Sequence, residues 1–316
     1  MRIGYFLATE EFSPAELLAQ AEAAGSAGFD ALWISDHYHP WVDAQGQSAF
    51  VWSMIGALSR VSRLPITTAV TCPTVRIHPA VIAQAAATSA VLCDGRFVLG
   101  VGSGEALNEH ILGDPWPEAP VRLEMLAEAV ELIRQLWTGE VTSHRGRHYL
   151  VENARIYTRP DTPPPIYVSG FGPKAVELAA RIGDGFITTG PDAEAVAQFR
   201  AAGGAGKPAQ GGFKTAYADT AQQGAQIAHE RWPNTALPGE LAQILPTPRH
   251  FEQASTLVTE QMVGSAVVCG RDPDAHRKMI ETYAQAGFDE VYVANIGPHQ
   301  DGFFGMYADQ VLPRVR

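Results

Sequence analysis

The chain has 316 residues, of which 46% are hydrophobic, and a formal net charge of −11. This is enough material for one large domain with a substantial core, and the acidic balance argues against a general nucleic-acid or anionic-membrane binder. The three cysteines are widely spaced and form no C-x-x-C pair, so they predict neither a disulfide framework nor a zinc site, as is typical of the reducing cytosol.

The first half of the chain alternates strand and helix signals. Ser13, Pro14 and Glu16 form a capping box with proline at the first helical position, which predicts a helix that ends near Gly28. His78 and the proline that follows it predict the start of another helix. Strands are predicted at 2–8, 31–34, 65–71 and 96–101, and helices at 13–28, 49–62 and from 78 onward.

The second half continues this alternation with interruptions. A proline-rich loop at 114–120 precedes a long amphipathic helix at 121–137, and residues 139–160 are interpreted as a hairpin excursion. Residues 203–212 are interpreted as a flexible connector and residues 230–264 as an irregular insertion. Strands are predicted at 166–169, 185–188, 213–218 and 290–294, and helices at Pro173, after Asp192, at 272–285 and near Phe304.

Eight strands alternating with helices predict an α/β fold: a (β/α)8 TIM barrel in one domain, 1–316, with insertions after helix four and strand seven. The rival is a doubly wound sheet, but the Gly-x-Gly-x-x-Gly turn that it needs after strand one is absent. The N-terminal residues do not have the pattern of a signal peptide, and no apolar run approaches the roughly 20 residues of a membrane span. We therefore expect a cytoplasmic protein with no membrane partner.

Titratable side chains follow the second predicted strand, where a barrel places its catalytic groups. Asp36 and His37 come directly after the apolar run 31–34, and Trp41 lies in the same loop. A neutral His37 can accept a proton from a hydroxyl group near neutral pH, and Trp41 can form the wall of a site for a ring-shaped ligand. The structural alternative is a histidine that simply bonds the loop backbone.

Two glycine-containing turns are further candidates. The stretch 102–105 places Ser103, Gly104 and Glu105 after strand four, where glycines let the backbone approach a planar or phosphorylated ligand. The stretch 170–174 lies between strand five and a helix start, where free N–H groups and Lys174 suit an anion. Each turn alone is equally compatible with an ordinary strand-to-helix connection.

These motifs together resemble the luciferase-like superfamily of flavin and deazaflavin barrels, and within it the F420-dependent glucose-6-phosphate dehydrogenase group. The resemblance covers nearly the whole chain. It is carried by the segments 35–41, 79–85, 99–109 and 183–186. It implies coenzyme F420 across the mouth of the barrel, a small-molecule substrate, a homodimer and no nucleic acid.

The resemblance also implies roles for particular residues. His37 is expected to remove the alcohol proton as hydride passes to the ring, Glu105 to serve as the proton partner of ring N1, and Trp41 to pack over the reacting centre. The implied coenzyme contacts are Asp36, Cys72, Ser103, Gly104, Asn108, Gly170, Phe171, Pro173 and Lys174, with Cys72 standing where a threonine is usual. Glu10 and Thr189 are the implied substrate residues, and a cis peptide is expected at Ala69-Val70.

The sequence departs from this group at the sugar-phosphate pocket. Asp192 stands where a lysine is expected, and the stretches 262–264 and 300–303 also lack the expected cations. Glucose 6-phosphate is therefore not the expected substrate, unless another cation replaces the missing ones; the candidates are Lys214, Arg249 and Arg271.

Three functions follow as alternatives. The leading one is an F420-dependent oxidoreductase acting on an alcohol or its carbonyl partner. The second is an FMN-dependent monooxygenase of the same fold, and the third is a coenzyme carrier without turnover. Coenzyme binding and the activity of a His37 variant discriminate among them.

Overall fold

A computed structural model describes residues 1–315 of the chain. Its strands are, in chain order, β1 (Arg2–Leu7), β2 (Leu32–Ile34), β3 (Ile66–Thr68), β4 (Phe97–Val101), β5 (Thr142–Arg145), β6 (Leu150–Ala154), β7 (Ile166–Ser169), β8 (Gly185–Thr189), β9 (Ala209–Ala216), β10 (Val268–Cys269) and β11 (Glu290–Asn295).

The helices are α1 (Pro14–Ala27), α2 (Val51–Val61), α3 (Pro79–Leu92), α4 (Ala106–Glu109), α5 (Ala119–Trp137), α6 (Pro173–Ile182), α7 (Ala193–Phe199), α8 (Ala221–Arg231), α9 (Leu241–Ile244), α10 (Pro248–Ser255), α11 (Glu260–Ala266), α12 (Pro273–Gln285), α13 (Gln300–Met306) and α14 (Leu312–Val315). Short 3-10 segments occur at His110–Leu112 and Pro233–Ala236, and π-helical turns at Arg200–Gly204 and Tyr307–Val311. Within residues 1–315, none of the helices combines the length and the hydropathy that a transmembrane span requires.

The main sheet closes into a parallel barrel. Strand β1 pairs with both β2 and β11, and β9 pairs with both β8 and β11, which completes the ring. In the described residues the sheet has nine strands, of which eight form the barrel, while β10 pairs there with the C-terminal end of β9 alone. The predicted (β/α)8 barrel is confirmed. The hairpin between α5 and β7 is also confirmed, since β5 and β6 pair antiparallel.

Local sequence signals explain where several helices begin. Ser13 accepts the backbone N–H of Glu16, whose carboxylate accepts that of Ser13, so the predicted capping box is present. Asp192 caps α7 and Asp272 caps α12, in agreement with the prediction. The cis peptide expected between Ala69 and Val70 is also found.

Two predictions about the second half were wrong. Strand β9 begins at Ala209, inside the stretch interpreted as a flexible connector. Gly211 and Gly212, which suggested a connector, lie in the strand. A Cβ on Gly212 would lie 2.5 Å from the ring of Trp33, and one on Gly211 would lie 2.6 Å from that of Tyr283. Glycine is therefore required there by close packing, although it usually weakens a strand.

The insertion at 230–264 is helical rather than irregular. Helices α9 and α10 lie within it and α11 begins in it, and Thr247 and Thr259 cap the last two by accepting backbone N–H groups. Helix α8, which has a Thr220 and Gln223 capping box, was missed altogether. The prolines of this stretch were interpreted as a sign of irregular structure. Pro248, however, occupies the first position of α10, where proline is tolerated.

Large side chains fill the barrel interior. The rings of Trp33 and Tyr292 stack at 4.3 Å between centroids, and the indole N–H of Trp33 donates to Gln210 Oε1 at 2.9 Å. Gln210 in turn donates to Glu290, so the buried polar groups are paired. The interior is thus a packed core, and ligand space is confined to the mouth where the strands end.

Candidate active site

The loop after β2 carries the central side chains of the site. Asp36 and His37 are buried at the end of the strand, and the half-buried Trp41 lies four residues beyond His37. The ring centroids of His37 and Trp41 are 4.9 Å apart, and the ring of Phe251 packs edge-on against Trp41 with 5.1 Å between centroids. The loop is therefore held from the outside by helix α10 of the insertion.

His37 is surrounded by polar groups on both ring nitrogens. Its Nδ1 lies 3.1 Å from the carbonyl oxygen of His39 and 3.1 Å from the side-chain nitrogen of Asn108. Its Nε2 lies 3.4 Å from Glu10 Oε1. The Asn108 amide is oriented by the N–H groups of Tyr38 and His39, which donate to its oxygen, so its nitrogen must face His37.

Two tautomers of His37 follow from these contacts. When Nδ1 carries the hydrogen, it donates to the His39 carbonyl and leaves a lone pair on Nε2. When Asn108 donates to Nδ1, Nε2 carries the hydrogen and points it at Glu10. A doubly protonated ring can donate to Glu10 through Nε2 and to the His39 carbonyl through Nδ1.

Glu10 and Glu105 are the two predicted carboxylates near His37, one in direct contact and one through Asn108. Glu10 is buried and its other oxygen accepts the Ser35 hydroxyl at 2.5 Å. Glu105 precedes α4, and its carboxylate lies 3.4 Å from the Asn108 nitrogen. Asn108 therefore contacts both His37 and Glu105, which brings these two predicted catalytic groups to one region of the barrel mouth.

Asp36 is held by protein groups. The hydroxyl of Thr71 donates to one oxygen and the guanidinium of Arg76 to the other, each at 2.8 Å. The Arg76 backbone N–H also donates to Glu109 at 2.7 Å, and its side chain forms an ion pair with that carboxylate. Burial raises the pKa of Glu109 to about 7, although Arg76 acts in the opposite direction.

The glycine turn after β4 packs against this ion cluster. Gly104 has a left-handed φ of 81°, and a Cβ there would lie 2.5 Å from Cys72 Sγ and 3.0 Å from Glu109. Cys72 is buried, bonds the hydroxyl of Thr74 at 2.8 Å and has a pKa raised by burial. Ser103 and Gly104 are half-buried. Residue 104 must therefore be glycine for the turn to adopt this backbone conformation and to pack against Cys72 and Glu109.

The predicted tail-binding residues lie apart from the histidine. Gly170 is buried, whereas Phe171, Pro173 and Lys174 are exposed at the start of α6. Lys174 borders a groove of about 450 Å³ together with Arg147 and Arg181. Thr189 is exposed at the end of β8.

The first 290 residues match the family model described as luciferase-like monooxygenase. The chain belongs to this family. It is 37% identical to the F420-dependent glucose-6-phosphate dehydrogenase of Microbacterium testaceum (strain StLB037), over 100% of this chain and 98% of that one. The enzyme of the same name from Nakamurella multipartita is also 37% identical, with 100% and 97% covered.

Solved structures resemble this luciferase-like chain closely. An F420-dependent secondary alcohol dehydrogenase, in complex with an F420-acetone adduct, superposes with a TM-score of 0.92 at 29% identity, over 100% of this chain and 99% of that one. The F420-dependent tetrahydromethanopterin reductase of Methanopyrus kandleri has a TM-score of 0.81 at 20% identity, with 100% and 99% covered, and so supports the fold alone.

Sequence reasoning missed two groups of this luciferase-like site. Arg76 and Glu109 were assigned no role, although both lie buried beside Asp36. Glu109 ends the short helix α4, which Glu105 precedes as the N-cap residue, so its nearness in sequence to a predicted site residue was the available signal. No local pattern marked Arg76, because its partners are 40 and 33 residues away.

Proposed function

We propose that this chain is an F420-dependent oxidoreductase that interconverts a secondary alcohol and its carbonyl partner. The observation that carries the proposal is the placement of His37 beside Glu10, Asn108 and Trp41 at the barrel mouth. Full-length similarity to F420-dependent dehydrogenases acting on CH–OH groups supports the coenzyme and the reaction class.

The residues around Gly104 fit a flat coenzyme. The glycine has no room for a Cβ, as it would meet Cys72, Glu109 and the Trp116 ring within 3.3 Å. Among residues 1–315, the indole N–H of Trp116, whose ring packs beside Gly104, is a buried donor without a hydrogen-bond partner. An unsatisfied donor beside a glycine turn suits an acceptor atom of a bound heterocycle. Asp36, Cys72, Ser103, Gly104 and Asn108 would hold the ring, and Gly170, Phe171, Pro173 and Lys174 the phosphate-bearing tail.

Bound F420 would supply a hydride acceptor, and the chain would handle the protons. In the tautomer with hydrogen on Nδ1, His37 Nε2 accepts the hydroxyl proton of the substrate. The imidazolium that results donates to the His39 carbonyl and to Glu10, both already in place. Glu105 would hold a proton on the coenzyme side of the site, and Trp41 would exclude water from the reacting carbon.

The test is a titration of the purified protein with F420 and, separately, with FMN. We expect F420 to bind and to be reduced in the presence of a secondary alcohol, which bleaches its visible absorption band. Binding of FMN without binding of F420 would reject the proposal in favour of an FMN-dependent monooxygenase. Binding of F420 without turnover of any alcohol or sugar would indicate a carrier.

A homodimer is part of the proposal. Helix α3 exposes Val81, Val91 and Leu92 by 56%, 41% and 45%, and such apolar side chains suit burial against a second copy. Light scattering should give twice the chain mass of 34.0 kDa. A mass equal to that of one chain would contradict the homodimer and leave the proposed reaction unaffected.

A further inference from the structure

Lys214 lies where the substrate would enter. It is the sixth residue of β9, two residues beyond Gly212, whose missing side chain makes room for Trp33 inside the barrel. Phe213 between them stacks on Tyr283 of α12, outside the barrel. Because side chains alternate along a strand, Lys214 projects inward, at the end of β9 that forms the mouth.

An aromatic face holds the Lys214 ammonium. Its Nζ lies 4.7 Å from the ring centroid of Trp232, a cation–π distance. Trp232 is itself fixed, since its indole N–H donates to Glu11 at 2.6 Å and the other oxygen of Glu11 accepts the Gly297 N–H at 2.8 Å. The lysine is therefore positioned by a ring that uses none of its three N–H donors.

Within the described part of the chain, no carboxylate neutralises this ammonium at contact distance. Among residues 1–315, none forms an ion pair with Lys214 at up to 4.0 Å. Glu10 is the acid close enough to raise its pKa, against a larger lowering by burial. However, the oxygens of Glu10 already face Ser35 and His37. A largely buried cation without an ion pair is costly for a purely structural residue.

The other candidate cations are placed differently. Arg271 forms an ion pair with Asp219 at 3.0 Å on the surface, and Arg249 is exposed on α10. Asp192, which stands where a lysine was expected, accepts the Ala195 N–H as the cap of α7. Of the three cations considered from the sequence, Lys214 is the one close to Glu10 and hence to His37.

We propose that Lys214 binds an anionic group of the substrate, a carboxylate or a phosphate, so that this enzyme prefers negatively charged alcohols over neutral ones. The inference rests on the proposed oxidoreductase function. Glu10 contacts His37 and interacts with the charge of Lys214, which places the lysine and the reacting carbon at the same mouth of the barrel.

The test compares matched substrates with the coenzyme-loaded protein. Glucose 6-phosphate is compared with glucose, and 2-hydroxybutanoate with its amide, for wild type, K214M, K214R and the control K278M, whose lysine is exposed on α12. The sugar pair tests for a phosphate site, and the hydroxy-acid pair tests for a carboxylate site. Binding of inorganic phosphate and of acetate is measured by calorimetry with and without F420.

We expect K214M to lower the anionic-to-neutral ratio of kcat/KM by about 10- to 100-fold, the range of a lost charged hydrogen bond. K214R should keep a preference for the anion, K278M should keep the wild-type ratio, and calorimetry should show anion binding that K214M abolishes. Equal losses on charged and neutral substrates, or a wild type without preference for the anion, would overturn the inference. If K214M does not fold, two wild-type measurements test the inference: the preference for the anionic over the neutral substrate, and the inhibition of anionic-substrate turnover by inorganic phosphate.

The two proposals fail in distinguishable ways. Absence of F420 binding would remove the proposed function, whereas anion binding that depends on Lys214 is measured without the coenzyme. Turnover of neutral alcohols alone, with no phosphate or acetate binding, would keep the function and remove the role of Lys214.

Discussion

At the scale of single residues, His37 has more neighbours than a neutral imidazole can satisfy. Its Nδ1 faces both a carbonyl acceptor and an amide donor, so each tautomer bonds only one of these two groups. The charged ring can donate to the His39 carbonyl and to Glu10 together, while the Asn108 amide keeps its contact with Glu105. This arrangement favours a histidine that gains and loses a proton during turnover.

Replacing His37 by glutamine should therefore affect chemistry more than binding. We expect H37Q to lower kcat for alcohol oxidation by about 10²- to 10⁴-fold, the usual size of a general-base contribution. Its dissociation constant for F420 should change little, and H250Q, which alters an exposed histidine of α10, should resemble wild type. A loss of coenzyme affinity that matches the loss of rate would contradict the role as base.

Glu109 gives a stability effect that depends on pH. Burial raises its pKa to about 7 in the folded state, so folding favours the protonated form. Its favourable contribution is complete below the unfolded pKa and is lost as pH rises toward 7. Wild type should therefore lose up to about 3 kcal/mol relative to E109Q between pH 4.5 and pH 7.

Urea unfolding of both proteins at several pH values measures this difference. The gap in unfolding free energy should stop changing above pH 8, where Glu109 is ionised in both states. A gap that stays constant from pH 5 to pH 8 would show that Arg76 keeps the carboxylate charged throughout.

At the scale of elements, helix α10 supports the loop that carries His37. Phe251 is fully buried against Trp41, and the backbone N–H of Asp43 donates to Glu252 at 3.2 Å. The insertion therefore covers the loop from outside the barrel, and the position of Trp41 depends on a helix more than 200 residues away in sequence.

Removal of the Phe251 ring should loosen this support. We expect F251A to destabilise the protein by about 3–5 kcal/mol, as for other buried aromatic residues, and to raise KM because Trp41 loses its packing partner. L257A is the matched control, since Leu257 is 82% exposed and its truncation should change stability by less than about 0.5 kcal/mol. Equal destabilisation by both variants would contradict the account.

At the scale of the whole molecule, the closed ring of strands joins the beginning of the chain to its end. Strand β1 pairs with β11 and β2, so the loops that carry Glu10 and His37 are adjacent only in the folded barrel. A coenzyme that contacts several of these loops binds the folded state alone. Its binding energy therefore adds to the free energy of unfolding.

Coenzyme at 100 times its dissociation constant should raise the unfolding free energy by about 2.7 kcal/mol. Denaturation followed by circular dichroism, with and without F420, measures this increase. FMN at the same concentration serves as the control and should give none. Stabilisation by FMN alone would contradict the proposed coenzyme.

The local signals that predicted the barrel operate between close neighbours in sequence. The capping box at Ser13, the strand at 31–34 and the hairpin within 139–160 were confirmed for this reason. Strand β9 was misplaced because its glycines are required by rings on β2 and α12, which a local pattern does not contain.

The sequence by itself determined that strands and helices alternate, where several helices begin and which loop carries the histidine, since each depends on residues within one turn or strand. Only the tertiary structure decided that Arg76 joins Asp36 to Glu109 and that Lys214 rests on Trp232 without an ion pair. The physical reason is that these contacts form between loops from different strands, and barrel closure alone brings those loops together.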